Sequence, residues 1–175
     1  PKKGAEQPIE KFARFKKNPQ EWYDEMDSYG VSKNGQKVLE KILKISYGLC
    51  IQQEQFMMLV QQPEIGGFSL LWADRLRKAI SKKKPKEYDE LTQEFFKQTK
   101  EKGCEEALCK YVWHVLIAMN RGYGFNAAHT LAYSLVALQE MNLAYKYPII
   151  FWDTANLIVD SGAMNLEEQI YSEED

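Results

Sequence analysis

The stretch Ile65-Gly66-Gly67-Phe68-Ser69-Leu70-Leu71-Trp72-Ala73-Asp74-Arg75-Leu76-Arg77-Lys78-Ala79-Ile80-Ser81-Lys82-Lys83-Lys84-Pro85 writes one whole helix between two stop signals. The glycine pair makes a turn, and Ser69 can cap a helix that runs through Leu70, Leu76 and Ile80. A basic run then sits where a helix C-terminus favours cations, and Pro85 ends the segment. Nothing in it alternates with the period of a strand.

The same punctuation continues outward in both directions. Upstream, Val38, Leu39, Ile42 and Ile45 form an apolar stripe that stops at Gly48, and Ile51, Met57, Met58 and Val60 form another that stops before Pro63. This pair is predicted to be an antiparallel helical hairpin. Two shorter helices over 8–15 and 19–28 precede it, with Pro19 suited to a first turn and Gly30 to an end. Downstream, Tyr88, Leu91 and Phe95 lead to Gly103, and Leu108, Val112, Val115 and Met119 lead to Gly122. A long helix with Leu131, Leu135 and Leu138 runs from Asn126 to the Tyr147-Pro148 break, and a final apolar helix covers 149–159 before Gly162. The fold predicted is all-α, an irregular array of about seven to nine helices. Residues 1–35 read as peripheral helices, 36–162 as the helical domain, and 163–175 as an acidic, disordered tail.

Composition narrows the class. At 175 residues the chain can bury a real core, and 45% hydrophobic with 13% aromatic residues exclude a disordered chain. A net charge of -2 gives no global nucleic-acid signature, but the charge is unevenly spread. Arg75, Arg77, Lys78, Lys82, Lys83, Lys84 and Lys86 fall together with no acid among them, whereas 160–175 holds acids and no base. Three cysteines without a signal-peptide pattern fit a reducing, cytoplasmic setting better than a disulfide framework. The apolar stretches at 111–119 and 147–152 are far too short to cross a bilayer. The chain opens on Pro1 rather than methionine, which reads as a processed, truncated or partial polypeptide.

Two clusters carry candidate chemistry. Arg75, Lys78 and Lys82 share one helix face, and the cations around them exceed what a helix end needs, so the group suits a triphosphate or a nucleic-acid backbone. The second cluster is Gly122-Tyr123-Gly124-Phe125-Asn126 followed by His129 and Tyr133, which lie four apart on one helix face behind a capping Asn126. A helix start flanked by rings can receive an anion and a base together. Cys104, Cys109 and His114 are five apart, a spacing that rotates off one face and offers no fourth ligand, so no metal site is assigned. Glu54, in Gln52-Gln53-Glu54-Gln55, reads as solvent-facing. There is no close carboxylate pair for two-metal chemistry and no nucleophile with an orienting partner, so no catalytic residue is assigned.

These residues also carry a resemblance. Tyr123-Gly124-Phe125-Asn126, His129, Ala132-Tyr133, Gln139, Leu143 and Tyr147-Pro148 resemble the fingers segment of C-family replicative DNA polymerases, the alpha subunit of bacterial DNA polymerase III and its phage-encoded relatives, whose pattern reads YGFNKSHAxAYAL. Two upstream blocks agree in order. One is Leu39-Glu40-Lys41-Ile42-Leu43 through Tyr47-Gly48 and Gln53-Glu54-Gln55-Phe56-Met57; the other is Gly67-Phe68-Ser69-Leu70 through Leu76-Arg77-Lys78-Ala79-Ile80 and Lys82-Lys83-Lys84-Pro85. The sequence departs from the pattern at Ala127 and Ala128, where Lys-Ser is usual, at Leu71 and Trp72, where Gly-Gly is common, and at Gln52, where Tyr is common.

The resemblance implies helical fingers that close over the nascent base pair. Arg75, Arg77, Lys78, Lys82 and Lys83 would then face the triphosphate of an incoming deoxynucleoside triphosphate, and Asn126, His129 and Tyr133 its base and sugar. Primer-template DNA and the palm and other domains of a parent polymerase would be the partners. No cofactor would be held by this chain, because Mg2+ would sit on palm carboxylates that the chain lacks, and the isolated chain would be inactive. Composition alone leaves a different class open, a non-catalytic helical nucleic-acid-binding or protein-interaction module.

Overall fold

The computed structural model describes residues 6–120 and 126–161, and among them there are nine α-helices and no strand. They are α1 Pro8–Lys17, α2 Gln20–Ser28, α3 Lys33–Leu43, α4 Gln53–Val60, α5 Leu70–Ser81, α6 Pro85–Glu101, α7 Glu106–Tyr111, α8 Ala127–Lys146 and α9 Pro148–Asp160. Proline opens α1, α6 and α9, where its missing N–H costs nothing, and Ser32 and Ser69 cap α3 and α5 with their hydroxyls. The all-α prediction holds. The segment around Gly122 and the acidic tail lie outside the described residues.

The chain divides into two compact units, Pro1–Ala127 and Ala128–Asp175. The sequence reading drew its boundaries at 35 and 162 instead. In the structure Phe15, Trp22, Met26 and Val31 of the first 35 residues are buried in the same core as α3 to α7, so hydrophobic burial joins them to that unit.

In the first unit α3 packs on α4, α4 on α5 and α5 on α6. A row of rings runs through this layer. Trp72 stacks on Phe68 with centroids 4.0 Å apart, Phe68 on Phe95 at 5.5 Å, and Phe95 on Trp113 at 4.5 Å. Such pairs add about 0.5–1.5 kcal/mol each beyond the area they bury.

Several stripes differ from the sequence reading: Ile51, Met58 and Leu70, named there among the apolar residues of their helices, are 39%, 49% and 64% exposed. Ile45, placed there on the buried stripe of α3, is 86% exposed. The α-helix stops at Leu43 and Lys44–Ser46 winds as a 3-10 turn, so the 3.6-residue period that would have carried Ile45 inward is broken. After Tyr111 the chain widens into a π-helix over Val112–Ile117, which buries Val112, Trp113, Leu116 and Ile117 and leaves His114 outside against Phe96. A wider turn brings residues four and five apart onto one face, so Val115 is only partly buried.

A buried polar network ties down the chain between α3 and α4. Gln55 Nε2 donates to Ser46 Oγ at 2.7 Å, the Ser46 hydroxyl donates to the Leu49 carbonyl at 2.6 Å, and Gln55 Oε1 accepts from the Ile51 and Gln52 N–H groups at 2.9 and 3.0 Å. Asn120 Nδ2 donates to the Cys50 carbonyl at 2.8 Å. Each of these groups would be costly if buried alone.

The second unit is described by itself. Its helices α8 and α9 bury none of their residues, and Leu131, Leu135 and Leu138, expected on a buried stripe, are exposed. No helix among the described residues is long and apolar enough to cross a membrane.

Gly48 has φ +86°, and a Cβ there would fall 2.3–2.5 Å from three atoms of the Trp22 indole. Gly48→Ala is therefore expected to cost about 3–5 kcal/mol, adding ring overpacking to left-handed strain. Gly103 has φ +65° with nothing within 4 Å of its Cβ position, so Gly103→Ala isolates the backbone part at about 1–2 kcal/mol. Urea unfolding of both variants checks the difference; equal losses would remove the ring contact as its cause.

Burial pushes the Cys50 and Cys109 thiols up to about 12, while Cys104 is only partly buried. Native protein at pH 8 is expected to alkylate at Cys104 alone, with Cys50 and Cys109 reacting only on unfolding. Because both folded values lie above the ordinary thiol value, stability is full below about pH 9 and falls as pH rises toward 12. Mass mapping of iodoacetamide adducts and melting curves across that window measure the two effects.

Candidate functional site

Helix α5 positions the basic cluster. Ser69 Oγ accepts from the Trp72 N–H at 3.1 Å, and Ala73, Leu76, Ala79 and Ile80 turn into the core. Their burial at helical spacing leaves Asp74, Arg75, Arg77 and Lys78 on the outer side, in or near solvent. Trp72 is held as part of the wall: it stacks on Phe68, and its Nε1–H donates to Glu94 Oε2 at 2.6 Å.

The cations are not equivalent. Arg77 donates through Nε to Asp74 Oδ1 at 2.9 Å and also places Nη2 2.7 Å from that oxygen, while Lys78 Nζ lies 2.8 Å from Asp74 Oδ2. Lys78 and Arg77 together hold the Asp74 carboxyl below the usual carboxylate range. Arg75 Nη1 is 3.6 Å from Glu94 Oε2, and Lys84 Nζ is 3.2 Å from Glu87. Among the described residues, Lys82, Lys83 and Lys86 have no ion pair and stand exposed.

The end of α5 explains where those free lysines go. The Lys83 N–H donates to the Ile80 carbonyl at 3.2 Å and the Lys84 N–H to the Ala79 carbonyl at 2.9 Å, closing the helix in a left-handed turn. Lys83 occupies the left-handed position with φ 50°, where glycine is usual. Beside it a surface hollow of about 290 Å³ is lined by Ala79, Ile80, Lys83, Lys84, Pro85 and Tyr88. A cationic rim over an apolar floor is an anion-attracting surface.

The other sequence-predicted residues fall as follows. Asn126 immediately precedes α8, and His129 and Tyr133 lie on α8 with ring centroids 6.3 Å apart and a 45° tilt. Tyr133 is 71% exposed, so the pair is not a buried packing contact. Gly122, Tyr123, Gly124 and Phe125 lie outside the described residues. Among the described residues no three His, Cys, Asp or Glu side chains gather as a metal site: Cys109 is buried, Cys104 Sγ lies 3.7 Å from the Pro63 carbonyl, and His114 stacks on Phe96.

Sequence reasoning missed the acids of the cluster. Asp74 precedes Arg77 and Lys78 by three and four residues, the spacing of intrahelical ion pairs, and that signal was readable. Glu94 was not, since it meets Arg75 and Trp72 only through the packing of α5 on α6. Glu54, read as solvent-facing, is partly buried and accepts from the Ala127 N–H at 3.1 Å.

Comparison with known proteins agrees with this architecture. Residues 5–103, more than half of the chain, match the family described as the bacterial DNA polymerase III alpha subunit finger domain. Over 165 residues, 94% of its length, the chain is 42% identical to the probable DNA polymerase YorL of Bacillus subtilis (strain 168), and equally to a DNA-directed DNA polymerase of Bacillus phage SPbeta. It is 39% identical over 113 residues, 65% of its length, to the DNA polymerase III subunit alpha of Campylobacter jejuni. The chain spans only 13% of the first two relatives and 9% of the third. The helical array, the cation-bearing α5 within the matched segment and these similarities lead to one conclusion: the chain belongs to the bacterial DNA polymerase III alpha subunit finger-domain family.

Proposed function

We propose that this chain is the fingers portion of a DNA-directed DNA polymerase and that α5 presents its cations to the triphosphate of the incoming deoxynucleoside triphosphate. The carrying observation is that α5 buries Ala73, Leu76, Ala79 and Ile80 and so holds Arg75, Arg77 and Lys78 on the outside, with Lys82 and Lys83 unpaired among the described residues at its end. Phosphoryl transfer gains from fixed positive groups that neutralise charge on the departing pyrophosphate. Arg supplies a forked contact and Lys a point charge, so this mixed set suits a flexible polyphosphate.

In the second unit, His129 and Tyr133 are assigned to the base and sugar, with Asn126 at the start of their helix. Support comes from the matched polymerase segment and from the exposure of the Tyr133 ring. Stacking on such rings is worth on the order of 1–3 kcal/mol per base and tolerates any base, as templated synthesis requires. Primer-template DNA and the remaining domains of the parent polymerase are the partners this reading needs.

In the resemblance, Mg2+ belongs to palm carboxylates of the parent, and the isolated chain is expected not to polymerise. A parent gene that encodes no strand-borne Asp-x-Asp upstream of this segment would overturn the polymerase reading.

Two measurements test the assignment. In the parent polymerase, Arg77→Ala is expected to lower kcat/KM for the nucleotide about 10- to 100-fold, the loss of one charge-assisted contact. Unchanged kinetics would remove Arg77 from the site. The isolated chain is expected to bind DNA weakly; tight binding with a steep fall on adding salt would favour an independent nucleic-acid-binding module instead.

A further inference from the structure

The two oxygens of Asp74 are divided between two cations. Oδ1 takes the Nε and Nη2 side of Arg77, at 2.9 and 2.7 Å, and Oδ2 takes Lys78 Nζ at 2.8 Å. A phosphate presents oxygens of similar spacing, and an arginine fork with a lysine beside it is the arrangement that binds one. The carboxylate thus occupies the place on these cations that a phosphate oxygen would fill.

The arrangement is open enough to exchange. The Asp74 and Arg77 side chains are about one-third exposed and Lys78 is about half exposed, so an anion can reach the cations without unfolding the helix. Lys82 follows Lys78 by one turn and Lys83 lies beyond it, both unpaired among the described residues. Arg75 is held from the other side by Glu94. An anion that is to take Arg77 and Lys78 from Asp74 must outcompete a carboxylate fixed on the same helix, and the free lysines reward an anion long enough to touch them as well.

We propose that Asp74 is an internal counter-ion that holds Arg77 and Lys78 as a preformed two-cation clamp, gives them up to a polyphosphate, and holds them against a lone phosphate. This rests on the reading of α5 as the triphosphate-binding helix. Its consequence is a threshold: tripolyphosphate can offset the displaced carboxylate by touching Lys82 and Lys83 as well as the clamp, whereas a lone phosphate reaches only one of the two sets.

The test uses the 175-residue chain, labelled with nitrogen-15, and the Arg77 Nε–H signal during titration with inorganic tripolyphosphate and, separately, monophosphate. In Asp74→Asn the amide cannot hold two cations by charge, so tripolyphosphate is expected to bind about three- to tenfold tighter. Monophosphate is expected to tighten by no more than that factor, because it can also occupy Lys82 and Lys83 without opening the clamp. Arg77→Gln and Lys78→Gln are expected to weaken tripolyphosphate binding, and coincident melting curves show that every variant is folded.

Asp74→Asn binding tripolyphosphate no better than the parent chain, with Arg77→Gln and Lys78→Gln still weakened, would overturn the counter-ion while leaving the triphosphate site in place. Binding unaffected by Arg77→Gln and Lys78→Gln would overturn the site reading at these residues and the counter-ion with it. Binding by none of the proteins would overturn both.

Discussion

The stacked rings between α5 and α6 are the constraint on which the candidate site depends. Phe68, at the entry to α5, touches both Trp72 on α5 and Phe95 on α6, and Phe95 in turn stacks on Trp113. Flat rings in register fix rotation about a helix axis more firmly than aliphatic side chains, because offset stacking allows few relative orientations. With α5 pinned in rotation, Ala73, Leu76, Ala79 and Ile80 must face inward and the charged residues outward. Trp72 adds a second restraint from the same ring, a hydrogen bond to the Glu94 carboxylate that also receives Arg75. The core and the charged face are therefore two sides of one packing decision.

The two units draw on different physics. The first holds a continuous hydrophobic core with rings, a buried amide network and capped helices. The described residues of the second form α8 and α9, which bury none of their residues. Within the described residues, the core that the chain buries lies in the first unit.

Legibility in the sequence followed the range of the interactions involved. Helices bounded by proline, glycine and serine were readable because caps and stops act over three or four residues, and the Ser69 cap and the end of α5 before Pro85 came out as read, while Leu70 in its first turn is exposed. Ile45 was misplaced because its direction depends on a 3-10 turn, a tightening that the apolar spacing does not announce. The π-helix after Tyr111 escaped for the same reason. The cations of the site were plain in the sequence, and so, at intrahelical spacing, was Asp74. Glu94 was invisible, since only the packing of α6 on α5 brings it to Arg75. Leu131, Leu135 and Leu138 show the converse failure: an apolar stripe is evidence of a face, and says nothing of whether a core lies within reach.

Net charge was a poor guide to the site for a physical reason. Exposed charges are screened over about 8 Å at physiological ionic strength, so acids near the chain's end do not cancel the field at α5 simply by bringing the total close to zero. What sets that field is the local roster: Arg75, Arg77, Lys78, Lys82 and Lys83 against Asp74 and Glu94. Even this roster is graded by geometry. Arg77 and Lys78 share one carboxylate at hydrogen-bond distance, Arg75 reaches Glu94 only at 3.6 Å, Lys84 is paired with Glu87 at 3.2 Å, and Lys82 and Lys83 have no ion-pair partner among the described residues. Unpaired positive charge therefore gathers at the C-terminal end of α5, where the helix dipole itself favours cations and where Lys83 takes the left-handed turn. An approaching polyanion meets unpaired charge first and paired charge second.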